Sequence, residues 1–313
     1  MITTHSPLHI ELRLLRYFVA VAEELHYARA AERLGIEQSP LSRAIRDVEN
    51  QLGIQLFERT SRSSRLTGAG QVFLDESRRV LATLNNAVAS AQSAARGYRG
   101  NLRIGICDSH AHPRIISLLA RCREEQPDVN IRIFDMPFAQ QVRGIQQGLL
   151  DCGVAFSNKV GSELIAEAIW SETLSVVTPA KHPLLRHARV ELKDAVQYPM
   201  ILCHPEVGSG CYDQLMRVLQ EITTPLQVVD YATSLGLMLT LVGAGYGIGF
   251  AIASYMQTLR RTELGTRPIA DKAPTMTTYL LRRAGVPMEP MASFTRRARE
   301  AMSGDPTRDV PAS

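Results

Sequence analysis

Apolar residues near the N-terminus recur at helical spacing and define two short consecutive helices. In the first of them, Ala28, Ala31 and Leu34 share one face, and a glycine follows at position 35. Because glycine adopts the left-handed conformation without strain, that glycine is predicted to end the helix. In the second helix an apolar stripe falls at i, i+4, i+7 and i+11, namely at Leu41, Ile45, Val48 and Leu52. Two short helices joined by a tight glycine turn are typical of a helix-turn-helix.

The second of these helices has a polar face opposite its apolar stripe. It begins at Gln38-Ser39-Pro40, where proline is tolerated in a first helical turn. The polar face carries Gln38, Ser39, Ser42, Arg43 and Arg46. A polar, arginine-bearing second helix is typical of one that enters the major groove of DNA. The pattern therefore predicts a protein that reads double-stranded DNA.

The next residues predict a wing and then a long helix. Two short extended pieces flank a polar tip at residues 59–64, which contains Arg62. From about Gly68 to Ala95 the chain is rich in alanine and leucine and has no proline, so one continuous helix is expected. Its apolar seam is longer than a small winged domain can cover, and a second copy of the chain is the expected partner. Packing of this helix on its own domain is the alternative.

The remainder of the chain alternates between two kinds of apolar pattern. After a hinge at residues 97–100, strand-length apolar runs alternate with helical segments, which predicts βαβ units and a parallel sheet. A second α/β lobe is predicted to begin with a strand at Leu174–Val177. A strand at Met276–Arg282 is predicted to return the chain to the first lobe, followed by a helix at 288–302. Two crossings between lobes predict a cleft with a hinge.

A long N-terminal segment resembles the LysR-type transcriptional regulators. It reads RYFVAVAEELHYARAAERLGIEQSPLSRAIRDVENQLGIQLFERTSRSSRLTGAG, and a weaker resemblance continues to about Arg299. The resemblance implies a winged helix-turn-helix, a long linker helix and a two-lobed, periplasmic-binding-protein-like effector domain. It also implies a homo-oligomer, usually a homotetramer built as a dimer of dimers. The expected fold class is thus α/β, preceded by a mainly α-helical winged helix-turn-helix.

The predicted domain boundaries follow from these patterns together. The winged helix-turn-helix takes residues 1–67, and the linker helix with its hinge takes 68–100. The effector-binding domain takes 101–302, with a first lobe at about 101–172 and 275–302 and a second lobe at about 173–274. Residues 303–313 are predicted to form a disordered tail.

The resemblance implies which residues contact DNA. In matching members the start of the second helix lies in the major groove, which points to Gln38, Ser39, Ser42 and Arg43. Arginine can bond O6 and N7 of guanine, and glutamine can bond adenine in a similar way. Arg62 at the wing tip would enter a narrow minor groove or neutralise a phosphate. A dimer places two such helices one turn of DNA apart, so an operator with a spaced inverted repeat is expected.

The expected effector site lies at the carboxyl ends of strands, where ligands of open α/β sheets bind. The candidate effector-binding residues are Asp108, Ser109, Phe138, Phe156, Ser209 and Thr233. Many family members have serine or threonine where this chain has Phe138, and Asp108 adds a negative charge. An apolar, aromatic or cationic effector therefore fits these residues as well as a small carboxylate does.

Cys203 and Cys211 suggest an alternative, a thiol-based redox regulator. The segment GSGCYDQL resembles the sequence around the reactive cysteine of peroxide-sensing members, although their partner cysteine follows that residue and Cys203 precedes it. Five cysteines without a secretory context nevertheless favour reduced thiols. Neither this pair with His204, nor Cys107 with His110 and His112, has the spacing of a four-ligand zinc site.

Composition and the remaining motifs narrow the function classes. The 313 residues include 45% hydrophobic and 21% charged residues, as in a soluble globular protein, and the net charge of +4 hints weakly at a nucleic-acid partner. The N-terminus lacks signal-peptide features, so a cytoplasmic location is expected and a solute-binding protein is the less favoured rival. The uncharged stretch between Asp230 and Arg260 contains five glycines and predicts a buried helix, a glycine turn and a strand, not a membrane span.

A GAGYGIG motif at 243–249 reverses the order of a dinucleotide fingerprint, because here a helix precedes the glycines and a strand follows them. No catalytic triad or pair of carboxylates is legible in the sequence. Neither an enzyme nor a bound cofactor is therefore expected.

Overall fold

A computed structural model describes residues 10–59, 64–107, 113–220, 222, 224–270 and 274–301. The chain divides into two compact units, one of residues 1–92 with 147–149 and the other of 93–146 with 150–313. Arg62, Asp108 and Ser109, together with the predicted tail, lie outside the described residues. The finer domain boundaries given above stay predictions.

The first unit contains the helix-turn-helix and the start of a wing. Its elements are α1 (Leu12–Glu24), α2 (Tyr27–Leu34), α3 (Gln38–Leu52), β1 (Phe57–Arg59), β2 (Ser64–Leu66) and α4 (Gly68–Ala95). Gly35 ends α2 at a φ of +66°, in the left-handed conformation that the sequence predicted. The apolar stripe of α3 packs against Phe18 of α1 and Phe57 of β1 to form one core. β1 and β2 pair as an antiparallel hairpin, with Phe57 opposite Leu66.

The second unit is an α/β domain. Its elements are β3 (Gly100–Ile106), α5 (Pro113–Glu125), β4 (Val129–Asp135), α6 (Phe138–Gln146), β5 (Cys152–Ala155), β6 (Leu164–Pro179), a 3₁₀ helix (Pro183–Arg186), α7 (Leu192–Ala195), β7 (Met200–Cys203), α8 (Ser209–Leu219), β8 (Val228–Ala232), α9 (Leu235–Gly243), β9 (Gly249–Ile252), α10 (Ala253–Thr258), β10 (Leu264–Pro268), β11 (Thr275–Arg283) and α11 (Met291–Glu300).

The main sheet of this unit is mixed, which corrects the expectation of a parallel sheet. Among the described strands its order is β10-β6-β11-β5-β3-β4, and β9 also pairs with β6. The βαβ units do place β3 parallel to β4 and to β5. The returning strand β11, however, is antiparallel to both β5 and β6. In a smaller sheet β7 and β8 are parallel.

The strand predicted to begin the second lobe at Leu174 is part of a much longer strand, β6, which starts at Leu164. Its first part pairs with β11 as far as Thr173, and its last part pairs with β9 and β10. The sequence pattern breaks at Glu167 and Glu172, which interrupt the apolar run. Both carboxylates have partners, since Glu167 pairs with Arg299 and Glu172 accepts a hydrogen bond from Ser254.

The uncharged stretch after Asp230 folds as the sequence predicted. α9 is followed by Gly245 at a φ of +87° and then by the buried strand β9. Across the described ranges, no helix combines the length and the apolar character that crossing a bilayer requires.

Candidate DNA-reading surface and effector cavity

The predicted DNA-contacting residues lie together on the first turns of α3. Gln38, Ser39 and Arg43 are exposed and Ser42 is half-buried. On the opposite face, Leu41, Ile45 and Val48 are fully buried. The side chain of the N-cap residue Glu37 makes no capping hydrogen bond, and uncapped N–H groups at the start of a helix suit a phosphate. The structure therefore presents a polar edge of α3 on a rigid apolar base.

A buried carboxylate that sequence reasoning did not use fixes α3 against the wing. Glu49 is 3% exposed and accepts hydrogen bonds from the backbone N–H groups of Leu56, at 2.9 Å, and Phe57, at 3.2 Å. These bonds join the last turn of α3 to the start of β1. The sequence indicates that Glu49 is close to the core, because Glu49 directly follows Val48, which lies on the buried face of the helix.

Several arginines of the first unit hold its helices together. Arg33 of α2 and Arg78 of α4 both lie 2.8 Å from the carboxylate of Glu23. Burial opposes the ionisation of Glu23, but the hydrogen bonds from Arg78 and Arg33 outweigh it and hold its pKa below the usual value. These cations stabilise the scaffold, whereas Arg43 is exposed on the reading helix.

The second unit contains an apolar cavity of about 80 Å³ between β7, α8, α9 and β9. Two predicted effector contacts, Phe156 and Thr233, line it, as does Phe250. No charged side chain of the described residues belongs to its lining. Tyr255 also lines the cavity, and burial raises the pKa of its hydroxyl, which stays a hydrogen-bond donor.

Two other predicted contacts do not line this cavity. Ser209 begins α8 beside the lining residues Gly208 and Cys211, so it is adjacent to the cavity. Phe138 begins α6 and packs instead with Phe134 and other apolar residues of the first lobe. A role for Phe138 in effector binding stays a prediction.

Cys203 and Cys211 form a disulfide, which corrects the expectation of five reduced thiols. Their Cα atoms are 6.3 Å apart, and both residues line the cavity. The chain turns back between the end of β7 and the first turn of α8, which brings the two cysteines together. Cys107, Cys122 and Cys152 lie outside this disulfide and keep their thiol groups. Burial raises the pKa of Cys122 and Cys152 and keeps them protonated.

The opposite side of α8 packs on the chain between the lobes. A Cβ on Gly210 would lie 2.6 Å from the carbonyl carbon of Phe156, so only glycine permits this approach. One turn later, Gln214 donates to the carbonyl oxygens of Phe156, at 2.5 Å, and Thr277, at 2.7 Å. It also accepts a 2.8 Å hydrogen bond from the N–H of Thr277. Gln214 and Gly210 were not identified from the sequence, because their partners are distant along the chain.

A second, polar cleft of about 350 Å³ lies on this side of α8. Residues 156–159 after β5 form one wall and α8 forms the other. Lys159 pairs with Asp213 across it at 2.7 Å. α8 therefore separates an apolar cavity from a polar cleft.

A helix-turn-helix with a polar second helix in one unit and an α/β domain with an apolar cavity in the other are typical of a ligand-controlled DNA-binding regulator. Two family models match the chain: "Bacterial regulatory helix-turn-helix protein, lysR family" over residues 12–71 and "LysR substrate binding domain" over residues 95–303. The chain belongs to the LysR family of transcriptional regulators. Its fold and its role as an effector-controlled regulator, both expected from the sequence, are confirmed.

Similar proteins support the same assignment. The uncharacterized HTH-type transcriptional regulator YnfL of Escherichia coli is 36% identical over 267 residues, which cover 85% of this chain and 89% of that protein. The Hca operon transcriptional activator HcaR of Escherichia coli is 31% identical over 296 residues, which cover 94% and 99%. A structure of full-length CbnR complexed with its target DNA has the same fold, with a TM-score of 0.72, 23% identity and coverage of 93% and 100%.

Proposed function

We propose that α3 reads an operator in the major groove through Gln38, Ser39, Ser42 and Arg43. The observation that carries the proposal is the exposed polar start of α3 above the three fully buried residues of its apolar stripe. The bonds from Glu49 to the start of β1 limit rotation of the helix, so its side chains keep a fixed direction. Arg43 suits guanine because its planar fork reaches two acceptors at once.

Replacement of Arg43 by alanine tests this proposal. An operator selected from random duplexes with the unaltered protein is titrated with the Arg43→Ala variant, and fluorescence anisotropy reports the affinity. A loss of about 1–3 kcal/mol and relaxed preference at one base pair are expected. Arg79→Ala is the matched control, because Arg79 is exposed on α4 and pairs only with its neighbour Glu76 among the described residues. Equal operator affinity for both variants contradicts the assignment of the reading helix.

We infer that the chain assembles through two separate apolar surfaces. On α4, Val80 and Val88 are exposed and Leu84 is half-buried, so they supply one side of a helix pair. In the second unit, Ile133 on β4 and Tyr231 on β8 are exposed. Among the described strands, β4 and β8 are edge strands of their sheets. Two surfaces of this kind support a dimer of dimers, and a dimer requires an operator with a spaced inverted repeat.

We propose that the cavity beside α8 binds the effector. Its lining favours a small apolar or aromatic molecule with one hydrogen-bonding end, which Thr233 and the uncapped start of α8 can bind. Its 80 Å³ is below the roughly 300 Å³ of a typical ligand pocket, so binding requires α8 or α9 to move outward. A regulator of this kind acts in the cytoplasm, where bacterial DNA lies.

A thiol-responsive regulator is the second candidate, and the disulfide between Cys203 and Cys211 is the observation that favours it. Reduction by a dithiol would give two thiols and take up two electrons and two protons. Since both sulfur atoms border the cavity, reduction would change its wall.

A further inference from the structure

Two segments of the second lobe form one continuous surface. They are residues 180–193, which follow β6, and residues 258–268, which end in β10, and together we call them the basic edge. The N–H of Ala180 donates to the carbonyl of Glu263 at 3.0 Å. The guanidinium of Arg267 donates to the carbonyls of His187, at 2.8 Å, and Leu185, at 2.7 Å. These bonds hold the 3₁₀ helix of the first segment over β10 of the second.

The basic edge holds the excess positive charge of the chain. Its cations are Lys181, Arg186, Arg189, Lys193, Arg260, Arg261 and Arg267. Against these seven stand two carboxylates, Glu191 and Glu263, and Asp194 follows directly in α7, so the edge together with Asp194 has a net charge of +4, equal to that of the whole chain. Residues 1–67 contain nine arginines and eight carboxylates, which leaves the DNA-reading segment at only +1. The basic edge therefore carries more net positive charge than residues 1–67 do.

The cations of the basic edge face solvent. All of them except Arg267 are exposed. Of the seven, only Arg261 forms an ion pair that the described residues show, with Glu263 at 3.6 Å. None of the exposed large apolar side chains of the described residues belongs to either segment. A protein partner usually requires a buried apolar or aromatic anchor, whereas a polyanion requires only charge and hydrogen bonds.

We propose that the basic edge binds the phosphate backbone of DNA outside the bases that α3 reads. Five of its seven cations are arginines, whose planar forks suit phosphate oxygens. The contact is independent of sequence and adds affinity for DNA that flanks the operator.

The salt dependence of DNA binding by the full chain, measured on two duplexes, tests the proposal. The short duplex contains the selected operator alone, and the long duplex adds flanking DNA of random sequence on both sides. The triple variant Arg186→Gln, Arg189→Gln and Arg260→Gln removes three charges from the basic edge. The control variant Arg96→Gln, Arg123→Gln and Arg143→Gln removes three charges from exposed arginines elsewhere in the second unit. Anisotropy titrations over a range of salt concentrations give the slope of log K against log salt for each protein.

On the long duplex, the basic-edge variant is expected to lower the salt slope by about 2 to 3, because each lost phosphate contact contributes about 0.9. On the short duplex its slope should match that of the control. A triple Arg→Lys variant at the same positions should keep the slope, which separates lost charge from misfolding. Equal slopes of the basic-edge and control variants on the long duplex overturn the proposal. Binding of polyglutamate that depends on the basic edge, with no change in the DNA slope, also overturns it and favours an acidic protein partner.

Discussion

The side chain of Gln214 makes backbone hydrogen bonds that a residue of a neighbouring strand would otherwise make. Replacement of Gln214 by leucine removes these bonds. Thr277 lies on β11 before the segment of that strand that pairs with β5. The carboxamide of Gln214 bonds both the N–H and the carbonyl of Thr277, as a residue of a neighbouring antiparallel strand would. Its second N–H reaches the carbonyl of Phe156, just after the end of β5. Leucine has a similar size and can make none of these three bonds.

The expected destabilisation follows from the three backbone groups that lose a partner. Gln214 is 7% exposed, so water replaces these bonds poorly. A buried backbone group without a partner costs about 1–2 kcal/mol, which gives about 3–6 kcal/mol for three groups. Burial of the apolar leucine side chain returns about 1–2 kcal/mol. The net loss should be about 2–4 kcal/mol, a large part of the roughly 5–15 kcal/mol that stabilises a typical domain.

Urea denaturation followed by tryptophan fluorescence measures this loss in the relevant unit. Trp170 is the single tryptophan of the chain and is buried in the second unit, so its emission reports on that unit alone. Gln257→Leu is the control, because Gln257 is exposed. If the free energies of unfolding of Gln214→Leu and the control agree within about 0.5 kcal/mol, the three bonds do not stabilise the fold as argued.

In a Gln214→Glu variant, the destabilisation of the fold should depend on pH. Its carboxylate would face two carbonyl oxygens, so the folded-state pKa of the new acid should lie above the ordinary 4.3 or so of glutamate. The protonated acid can still donate one of the lost bonds. The destabilisation should therefore be full above the raised folded-state pKa and should fall as pH drops towards 4.3. The same fluorescence assay at several pH values follows this change.

Two further predictions concern assembly and thiol chemistry. Leu84→Glu should place a charge in the apolar seam of α4 and reduce the oligomer to smaller species in sedimentation. The control Thr83→Glu, at an exposed neighbouring position, should leave the oligomer unchanged. An unchanged oligomer for Leu84→Glu would show that α4 is not part of the interface. The double variant Cys203→Ser and Cys211→Ser should bind operator as the unaltered protein does, in the presence and in the absence of a dithiol reductant. A response to the reductant that only the unaltered protein shows would establish the thiol-responsive candidate.

Local periodicity was sufficient to predict the DNA-reading unit. The stripe of Leu41, Ile45 and Val48 is buried as predicted, and Gly35 ends α2 as predicted. These features depend on neighbours a few residues apart, so the sequence displays them directly. The long strand β6 was only partly predicted. Glu167 and Glu172 look like a break in an apolar run until Arg299 and Ser254, far along the chain, supply their partners.

The position of the cavity beside α8 was predictable from the sequence, whereas its content was not. The rule that ligands bind beyond strand ends located Phe156 and Thr233, which do line the cavity. It did not distinguish them from Phe138, whose ring packs within the first lobe. The disulfide and the contacts of Gly210 and Gln214 join residues through the packing of α8, and no local pattern of the sequence encodes that packing.

In the proposed effector site, the two sides of α8 would connect ligand binding to the junction of the lobes. Cys211 and Leu215 on one side line the cavity, while Gly210 and Gln214 on the other side hold Phe156 and β11. A ligand that pushes α8 outward to enlarge the cavity must break the bonds of Gln214. A ligand shifts such an equilibrium only by its preference for the open arrangement. If opening costs as much as the net loss of about 2–4 kcal/mol expected for Gln214→Leu, the effector must prefer the open arrangement by about 30- to 1000-fold. Apolar surface is the main source of that preference here, because the described lining offers little else for a ligand to bind.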